Sequence, residues 1–518
     1  MNRKEFLHQL GLVSGGVAFG MGGVPMKAFA HNPLGINLEG TNGRILVLVQ
    51  LAGGNDGLNT VVPFENDIYY NKRPNIALKK SELLQLNSQT GLNPALGTLK
   101  ELYDNGKMTV LQNVGYEKPN RSHFRATDIW LSGSDAAEVL DEGWLGRYLS
   151  KLYPSFPVEA PEQPMAIQLG SVESMLLQTN LGSTGLTFSD PNTFYTLVQG
   201  STADNDPLPA TLAGDELKFM RQIAAQSIKY ADVIQKKAGA SPNFNNKVTY
   251  PSLGIGPQLK IVASLIAGGL QTPIYLTTMG GFDTHANQVV ANATATGSHA
   301  NLLRYVADGI AAFQRDMEKQ GLADKVTIMT FSEFGRRVNQ NGTMGTDHGT
   351  AAPMFVIGNT VRGGIIGKNP NLTDLDSSGD IKHQFDYRQI YASVLRDHLG
   401  VEESVTRTIL GNKDFSTLPI FKNTTSPLLA ENPDFSLEQN YPNPFTDNTK
   451  IRYALNKAMY MKMTVYDLSG KEITVLREGM HDAGNYVLQV DGSSWASGFY
   501  LCGLKTDAGQ RVIRMVKA

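Results

Sequence analysis

The side chains of this sequence that are equipped for chemistry gather in a few short, glycine-flanked stretches. The densest is FSEFGRRVNQNGTMGTDHGTAAPMFVIG, residues 331–358, which sets Glu333, Arg336 and the pair Asp347-His348 between two apolar runs. GGFDTHANQ supplies Asp283 and His285, GGNDG supplies Asp56, and NRSHFRATDIW supplies Ser122 and His123. Carboxylates bind hard divalent cations and imidazoles suit zinc. Two such ions activate a nucleophile and neutralise a transferring oxyanion. A serine at the start of a helix has backbone N–H groups nearby that hold an anion.

Each of these residues also has a purely structural use. Asp56 satisfies backbone donors in a Gly-Asn-Asp-Gly turn, and Ser122 caps a helix. Asp283 and His285 alternate along an extended segment and fit a surface turn, while Glu333 and Arg336 fit a mutual ion pair with Arg337 left to solvent. Asp347-His348 is harder to explain away, because Gly345 and Gly349 clear side-chain bulk around it. His299, His383 and His398 stand without a companion motif and read as structural.

Positioning such groups takes a rigid frame. RILVLVQLAGG, MTVLQNV, MAIQLG, TPIYLTTM, KVTIMTF and PMFVIG are continuous apolar runs of the kind found in buried strands. Amphipathic patterns such as HANLLRYVADGIAAFQRDMEKQG and YRQIYASVLRDHLG separate several of them, which predicts an α/β fold: a doubly wound, mostly parallel sheet with helices on both faces. In such a sheet the chemistry lies beyond the carboxyl ends of the strands, where these runs deliver Asp56, Ser122, Asp283 and Glu333. The long, weakly patterned insert from about Gly200 to Pro257 is the expected source of specificity.

The sequence has 518 residues, 41% hydrophobic and 18% charged, enough for a large core and at least two domains. A net charge of -2 without a basic cluster argues against nucleic acid or an anionic membrane as partner. Cys502 is the single cysteine, so any metal must be held by His, Asp and Glu. Residues 1–30 read as an export signal, with Arg3 and Lys4 ahead of a glycine-rich apolar middle and Ala28-Phe29-Ala30 as the cleavage site. The order Arg3-Lys4-Glu5-Phe6-Leu7 resembles the twin-arginine (Tat) consensus, with the general Sec route as the alternative. No later stretch is long and apolar enough to span a bilayer, so the mature protein is expected without a transmembrane segment.

From about Ser436 the texture changes to short alternating runs broken by turn residues, a small all-β sandwich. NYPNPF, VYDLSGKEI, SGFYLCGLKT and RVIRMVKA resemble the C-terminal sorting domain of type IX secretion substrates in Bacteroidota. The resemblance implies recognition by that secretion machinery and a secreted or surface-attached protein reached via the periplasm. The expected domains are an α/β domain over 43–425, a linker over 426–436 and the sorting domain over 437–518.

LVQLAGGNDGLNTVVPF, NRSHFRATDIW, GGFDTHANQ, residues 331–358 and YRQIYASVLRD resemble domain-of-unknown-function family 1501, a group similar to the alkaline phosphatase and sulfatase superfamily. The resemblance implies an alkaline-phosphatase-like fold and hydrolysis of small-molecule or polymer-borne phosphate or sulfate esters. It implies Ser122 as nucleophile, with His123 orienting it or the substrate, and Arg336 as an oxyanion clamp. It makes Asp56, Asp283, His285 and His348 metal ligands, and the run 331–358 itself adds Glu333 as an expected ligand and Asp347 as a ligand or the orienter of His348. Zinc is the first expectation, with manganese, calcium or magnesium as alternatives. Glu333-Phe334-Gly335 departs from the superfamily pattern by keeping the carboxylate and losing an imidazole, and Asp283 and His285 stand closer together than is usual there. The competing expectation is a cell-surface binding protein without turnover, and a weaker third is a mutase-like rearrangement.

Overall fold

The run Ile45–Leu51 forms strand β1, buried along its whole length, with side chains that alternate between two cores. Val47 and Val49 enter one and Leu46 and Leu48 the other, so the strand needs helices on both sides. The computed structural model of the protein describes residues 43–153, 156, 161–179, 182–199, 227–239, 245–422, 435–438, 440–467, 472–507 and 509–518. The export signal read at 1–30, most of the 426–436 linker and much of the insert after Gly200 lie outside them.

Strands β2 Met108–Gly115, β3 Ala166–Leu169, β4 Gly185–Phe188, β5 Ile274–Met279, β6 Val326–Phe331, β7 Ala352–Ile357, β8 Gly364–Ile366 and β9 Phe385–Asp386 join β1 in a nine-stranded sheet. Its order is β8-β2-β7-β6-β1-β5-β3-β4, with β9 also paired to β2. The apolar runs read as strands all lie in it; β4, β8 and β9 are too short or too glycine-rich to announce themselves. Every pairing is parallel except those of β7, which runs antiparallel to both β6 and β2. Because β7 runs backward, the loop that precedes it opens at the edge where the parallel strands end, and this brings Asp347 and His348 alongside the loops after β1, β5 and β6.

Helices α3 Gly256–Ala267 and α4 Ser298–Lys319 cover one face, burying Leu259, Val262, Leu303 and Ile310 with Val47 and Val49. On the other face, α1 His123–Ser132, α2 Trp144–Leu152 and α5 Tyr387–Ser393 bring Ile129, Trp130, Trp144, Tyr387 and Tyr391 onto Leu46 and Leu48. Each fully buried aliphatic side chain contributes about 1.5–3 kcal/mol, so the two cores fix the strand ends that carry the polar loops. The expected doubly wound, mostly parallel sheet with helices on both faces is borne out.

The chain divides into two compact units between residues 426 and 427. The second is built from β10 Phe435–Leu437, β11 Asn448–Leu455, β12 Met459–Asp467, β13 Glu472–His481, β14 Gly484–Asp491, β15 Gly498–Thr506 and β16 Gly509–Lys517. They form antiparallel sheets in the orders β10-β11-β14 and β13-β12-β15-β16, around a core that includes Ile451, Met461, Val465 and Leu504. The expected β-rich C-terminal domain is thus present. Cys502 is buried in this core, and burial pushes its thiol up to about 12, so it stays protonated and unreactive. No helix among the described residues is long and apolar enough to cross a membrane.

Candidate metal centre

The loops at the carboxyl edge are tied to one another by backbone hydrogen bonds before any side chain is considered. Residues 335–337 and 347–350 run side by side: the Gly349 N–H donates to Gly335 O at 2.9 Å, the Arg337 N–H to Asp347 O at 3.0 Å, and Arg336 and His348 form an antiparallel bridge. The Thr346 N–H donates to Thr284 O at 3.1 Å and the Gln288 N–H to Met344 O at 3.0 Å, which docks the Asp283-His285 segment on the same loop. A Cβ at Gly345 would overlap the His285 backbone and one at Gly349 the Arg336 backbone, so both glycines are required by close approach rather than by turn geometry.

These ties bring three imidazoles onto one carboxylate oxygen. Asp283 Oδ1 lies 3.0 Å from His285 Nε2, 3.2 Å from His348 Nε2 and 3.4 Å from His123 Nε2, with Arg336 Nη2 at 2.6 Å. Each ring is held by its other nitrogen: His123 Nδ1 by Glu333 Oε1 at 2.8 Å, His285 Nδ1 by Asp347 Oδ1 at 3.1 Å and His348 Nδ1 by the Arg121 carbonyl at 2.8 Å. A carbonyl only accepts, so His348 Nδ1 carries the proton and Nε2 the lone pair; the carboxylates favour the same tautomer in the other two rings.

Burial keeps the His348 imidazole below the ordinary histidine range, against the pull of the Arg121 carbonyl, and so keeps it neutral. Burial also raises the Asp283 carboxyl, but the Arg336 hydrogen bond and charge, helped by His285 and His348, outweigh it and hold it at about 2. The Asn341 amide, at 3.0 Å from Oδ1, together with His285 holds Asp347 below its ordinary value against a smaller burial effect.

This arrangement fits a divalent ion. His285 Nε2 and His348 Nε2 are 2.9 Å apart, where two lone pairs repel unless a cation stands between them. Two zinc-bound imidazoles at a tetrahedral angle place their nitrogens about 3.3 Å apart. His123 Nε2 is buried without a hydrogen-bond partner, and the ligand atoms of His123, Asp283 and His348 all lie within 4.8 Å of one another.

Other expected residues stand elsewhere. Asp56, expected as a metal ligand, is fully buried, and its Oδ2 accepts from Arg73 Nη1 and Gln288 Nε2, each at 2.6 Å. Burial raises the Asp56 carboxyl and Arg73 more than reverses this, so a guanidinium stands where a cation was expected. Glu333, also expected as a ligand, spends Oε1 on His123 and on the Gly53 N–H at 2.8 Å, and Oε2 on the Ser332 hydroxyl at 3.2 Å. It holds His123 in place.

Arg336, expected as an oxyanion clamp, is buried and spent on protein oxygens. It binds the carbonyls of Gly54 at 2.6 Å, Thr346 at 2.8 Å and Phe282 at 3.1 Å, the carbonyl of Gly53, and Asp283. It is a brace between loops. Asp347 orients His285 rather than His348. His123, expected to orient the nucleophile or substrate, points Nε2 into the cluster instead. Ser122 is the exposed N-cap of α1, its hydroxyl makes no capping bond, and its N–H donates to Asn120 Oδ1 at 2.8 Å.

His299 and His398 are structural as expected: His299 Nε2 meets Asn55 Oδ1 at 2.9 Å, and His398 bridges Thr327 and the Ile45 carbonyl at 3.1 and 2.9 Å. Sequence reasoning missed Arg121, which acts through its carbonyl and so leaves no signal of residue type, and Arg73, whose partnership with Asp56 spans two loops.

Residues 270–414 match the family described as "Protein of unknown function (DUF1501)" and residues 439–518 the "Secretion system C-terminal sorting domain", so both expected resemblances are borne out over those spans. No curated protein matches the chain. Among solved structures, one from a Bacteroides thetaiotaomicron locus for the metabolism of multiple glycosaminoglycans is 9% identical, with 85% of this chain and 90% of that chain covered and a TM-score of 0.34. A sulfatase from Pseudoalteromonas sp. is 12% identical over 86% and 83%, with a TM-score of 0.33. A phosphonate monoester hydrolase from Silicibacter pomeroyi is 8% identical over 88% and 90%, also with a TM-score of 0.33.

Proposed function

We propose that this chain is an exported, secreted or surface-attached hydrolase of phosphate or sulfate esters. It works at a single divalent ion held by His123, Asp283 and His348, with His285 beside them. The observation that carries the proposal is the convergence of the three Nε2 atoms on Asp283 Oδ1, each ring fixed by a separate acceptor on its Nδ1. Such a donor set suits zinc, or manganese, better than calcium and magnesium, which take oxygen ligands. Among the described residues no second ligand set gathers, since Asp56 gives Oδ2 to Arg73 and Gln288 and Glu333 is committed to His123.

A divalent ion held by these residues would supply Lewis acidity toward the ester's oxyanion. The remaining work falls to the chain. The Ser122 hydroxyl stands uncapped at the N-terminus of α1, whose first N–H groups lack intrahelical partners and favour an anion. In the proposed reaction Ser122 Oγ bonds to phosphorus or sulfur as the alcohol departs with a proton, and water then cleaves the serine ester to return the hydroxyl. The match of the tail to a secretion sorting domain supports export and cell-surface attachment.

One observation favours a second reading. The Arg336 side chain is fully buried and its Nε, Nη1 and Nη2 each bond protein oxygens, which suits a surface protein that binds at a metal centre without turnover. Metal content by mass spectrometry, on protein lacking residues 1–30 and the sorting tail, tests both. Near-stoichiometric metal that is lost in His348→Ala, with hydrolysis of a phosphate or sulfate ester lost in Ser122→Ala, supports the hydrolase. Metal without turnover of any such ester supports the binder, and absence of metal after incubation with zinc or manganese overturns both.

A further inference from the structure

Phe334 packs against the imidazoles of His123 and His348, with ring centroids 4.9 and 4.7 Å away, and also lines a cleft of about 270 Å³. One wall of the cleft is the segment from Tyr116 to Pro119, which leads directly into Arg121, Ser122 and His123. The other is a hairpin that runs from Asp376 to His383, closed by a bridge between Leu375 and Ile381. That hairpin is fastened to the metal centre. Asp380 grips Arg121 through Nε at 2.7 Å and Nη2 at 2.5 Å, and Asp376 reaches Nη2 at 3.1 Å. The Thr350 hydroxyl, two residues beyond His348, donates to the Ile381 carbonyl.

The floor is apolar, formed by Tyr116, Trp130, Phe334 and Ile381. Trp130 is 3% exposed and stacks on Phe331 and Tyr387, with ring centroids 6.2 and 4.6 Å away, which fixes the ring in the floor. A cavity of about 150 Å³ admits benzene, so this one has room for a substituted ring.

We propose that the cleft receives the organic group of the ester: a six-membered ring with an apolar face that lies on Phe334, Tyr116 and Ile381. The ester's oxyanion meanwhile sits at the metal centre beside Phe334. The assignment rests on the hydrolase reading and places ring selection in the Asp376–His383 hairpin.

The test is calorimetric binding of two non-hydrolysable probes, methylphosphonate and 4-nitrophenylphosphonate, to the metal-loaded protein and to His383→Trp. His383 is exposed at the rim, and an indole there fills the cleft. The parent is expected to prefer 4-nitrophenylphosphonate by at least about tenfold, the worth of burying part of a ring. The variant is expected to lose that preference while its metal content and its affinity for methylphosphonate stay at parental values.

Equal binding of the two probes by the parent, or a preference that survives His383→Trp, overturns the cleft and leaves the hydrolase reading standing. Failure of both probes to bind the metal-loaded parent removes the hydrolase reading and the cleft with it. Should His383→Trp fail to fold, a crystal structure of the parent with 4-nitrophenylphosphonate decides: a ring in the cleft supports the proposal, and a ring in solvent overturns it.

Discussion

The Nδ1 of His348 donates to the carbonyl oxygen of Arg121 across 2.8 Å, and the guanidinium of the same arginine is clasped by the buried Asp380. One residue thus links a metal-binding imidazole to a hairpin remote in sequence. Arg121→Ala frees the segment that carries the carbonyl, and Asp380→Asn loosens it. Both are expected to weaken zinc binding by about 10- to 100-fold, as loss of a ligand's outer partner does elsewhere. Competition with a chromophoric chelator measures this directly, and parental affinity in both variants excludes the role.

Asp56 and Arg73 form a buried ion pair at 2.6 Å, with both side chains fully inaccessible. Asp56→Asn leaves the guanidinium uncompensated and is expected to cost about 3–5 kcal/mol of stability. Metal content should stay at one ion per chain. Denaturant unfolding and mass spectrometry on the same sample check the two halves, and loss of metal from a folded variant returns Asp56 to the ligand set.

Arg336→Lys keeps the charge and removes the fork that spans the carbonyls of Gly54, Thr346 and Phe282. We expect a melting temperature lower by several degrees and weaker zinc binding together, because the loops that carry Asp283 and His348 lose their common brace. A variant that melts and binds zinc as the parent does, yet loses turnover, identifies Arg336 as a substrate clamp instead.

His299 and His398 are fully buried, and burial lowers each to about 4, so both are neutral in the folded protein. In the unfolded chain they take a proton near pH 6.5. Between pH 6.5 and 4 the unfolded state therefore binds more protons, and stability falls as pH falls through that window, levelling once both states are protonated. Thermal melting across that range should show the decline, and His398→Gln should make it shallower. A slope equal to the parent's shows that His398 contributes nothing to it.

Much of the frame was legible because buried strands write themselves as unbroken apolar runs, and Ile45–Leu51 and Val326–Phe331 are of that kind. The direction of Ala352–Ile357 was not, since hydrophobicity carries no arrow. Asp283, His285 and His348 could be read as ligands from residue type and from their place after or before a strand. His123 could not be separated from an orienting role, because the choice between ring nitrogens is made by Glu333, far away in sequence. Asp56 and Arg336 were legible as residue types at strand ends, but their long-range partners Arg73 and Asp283 were not. Much of the insert after Gly200, where specificity was sought, lies outside the described residues, and the cleft beside Phe334 is made by segments with no distinctive composition.

The proposed ligands come from the start of α1, the loop after β5 and the loop before β7, and the strand that seats the last of them is inserted backward between two others. A growing chain therefore has no centre to offer until the ribosome has passed His348 and the sheet has closed around β7. On that reading metal capture is a late event in the life of the molecule, open only once the sheet has closed around β7.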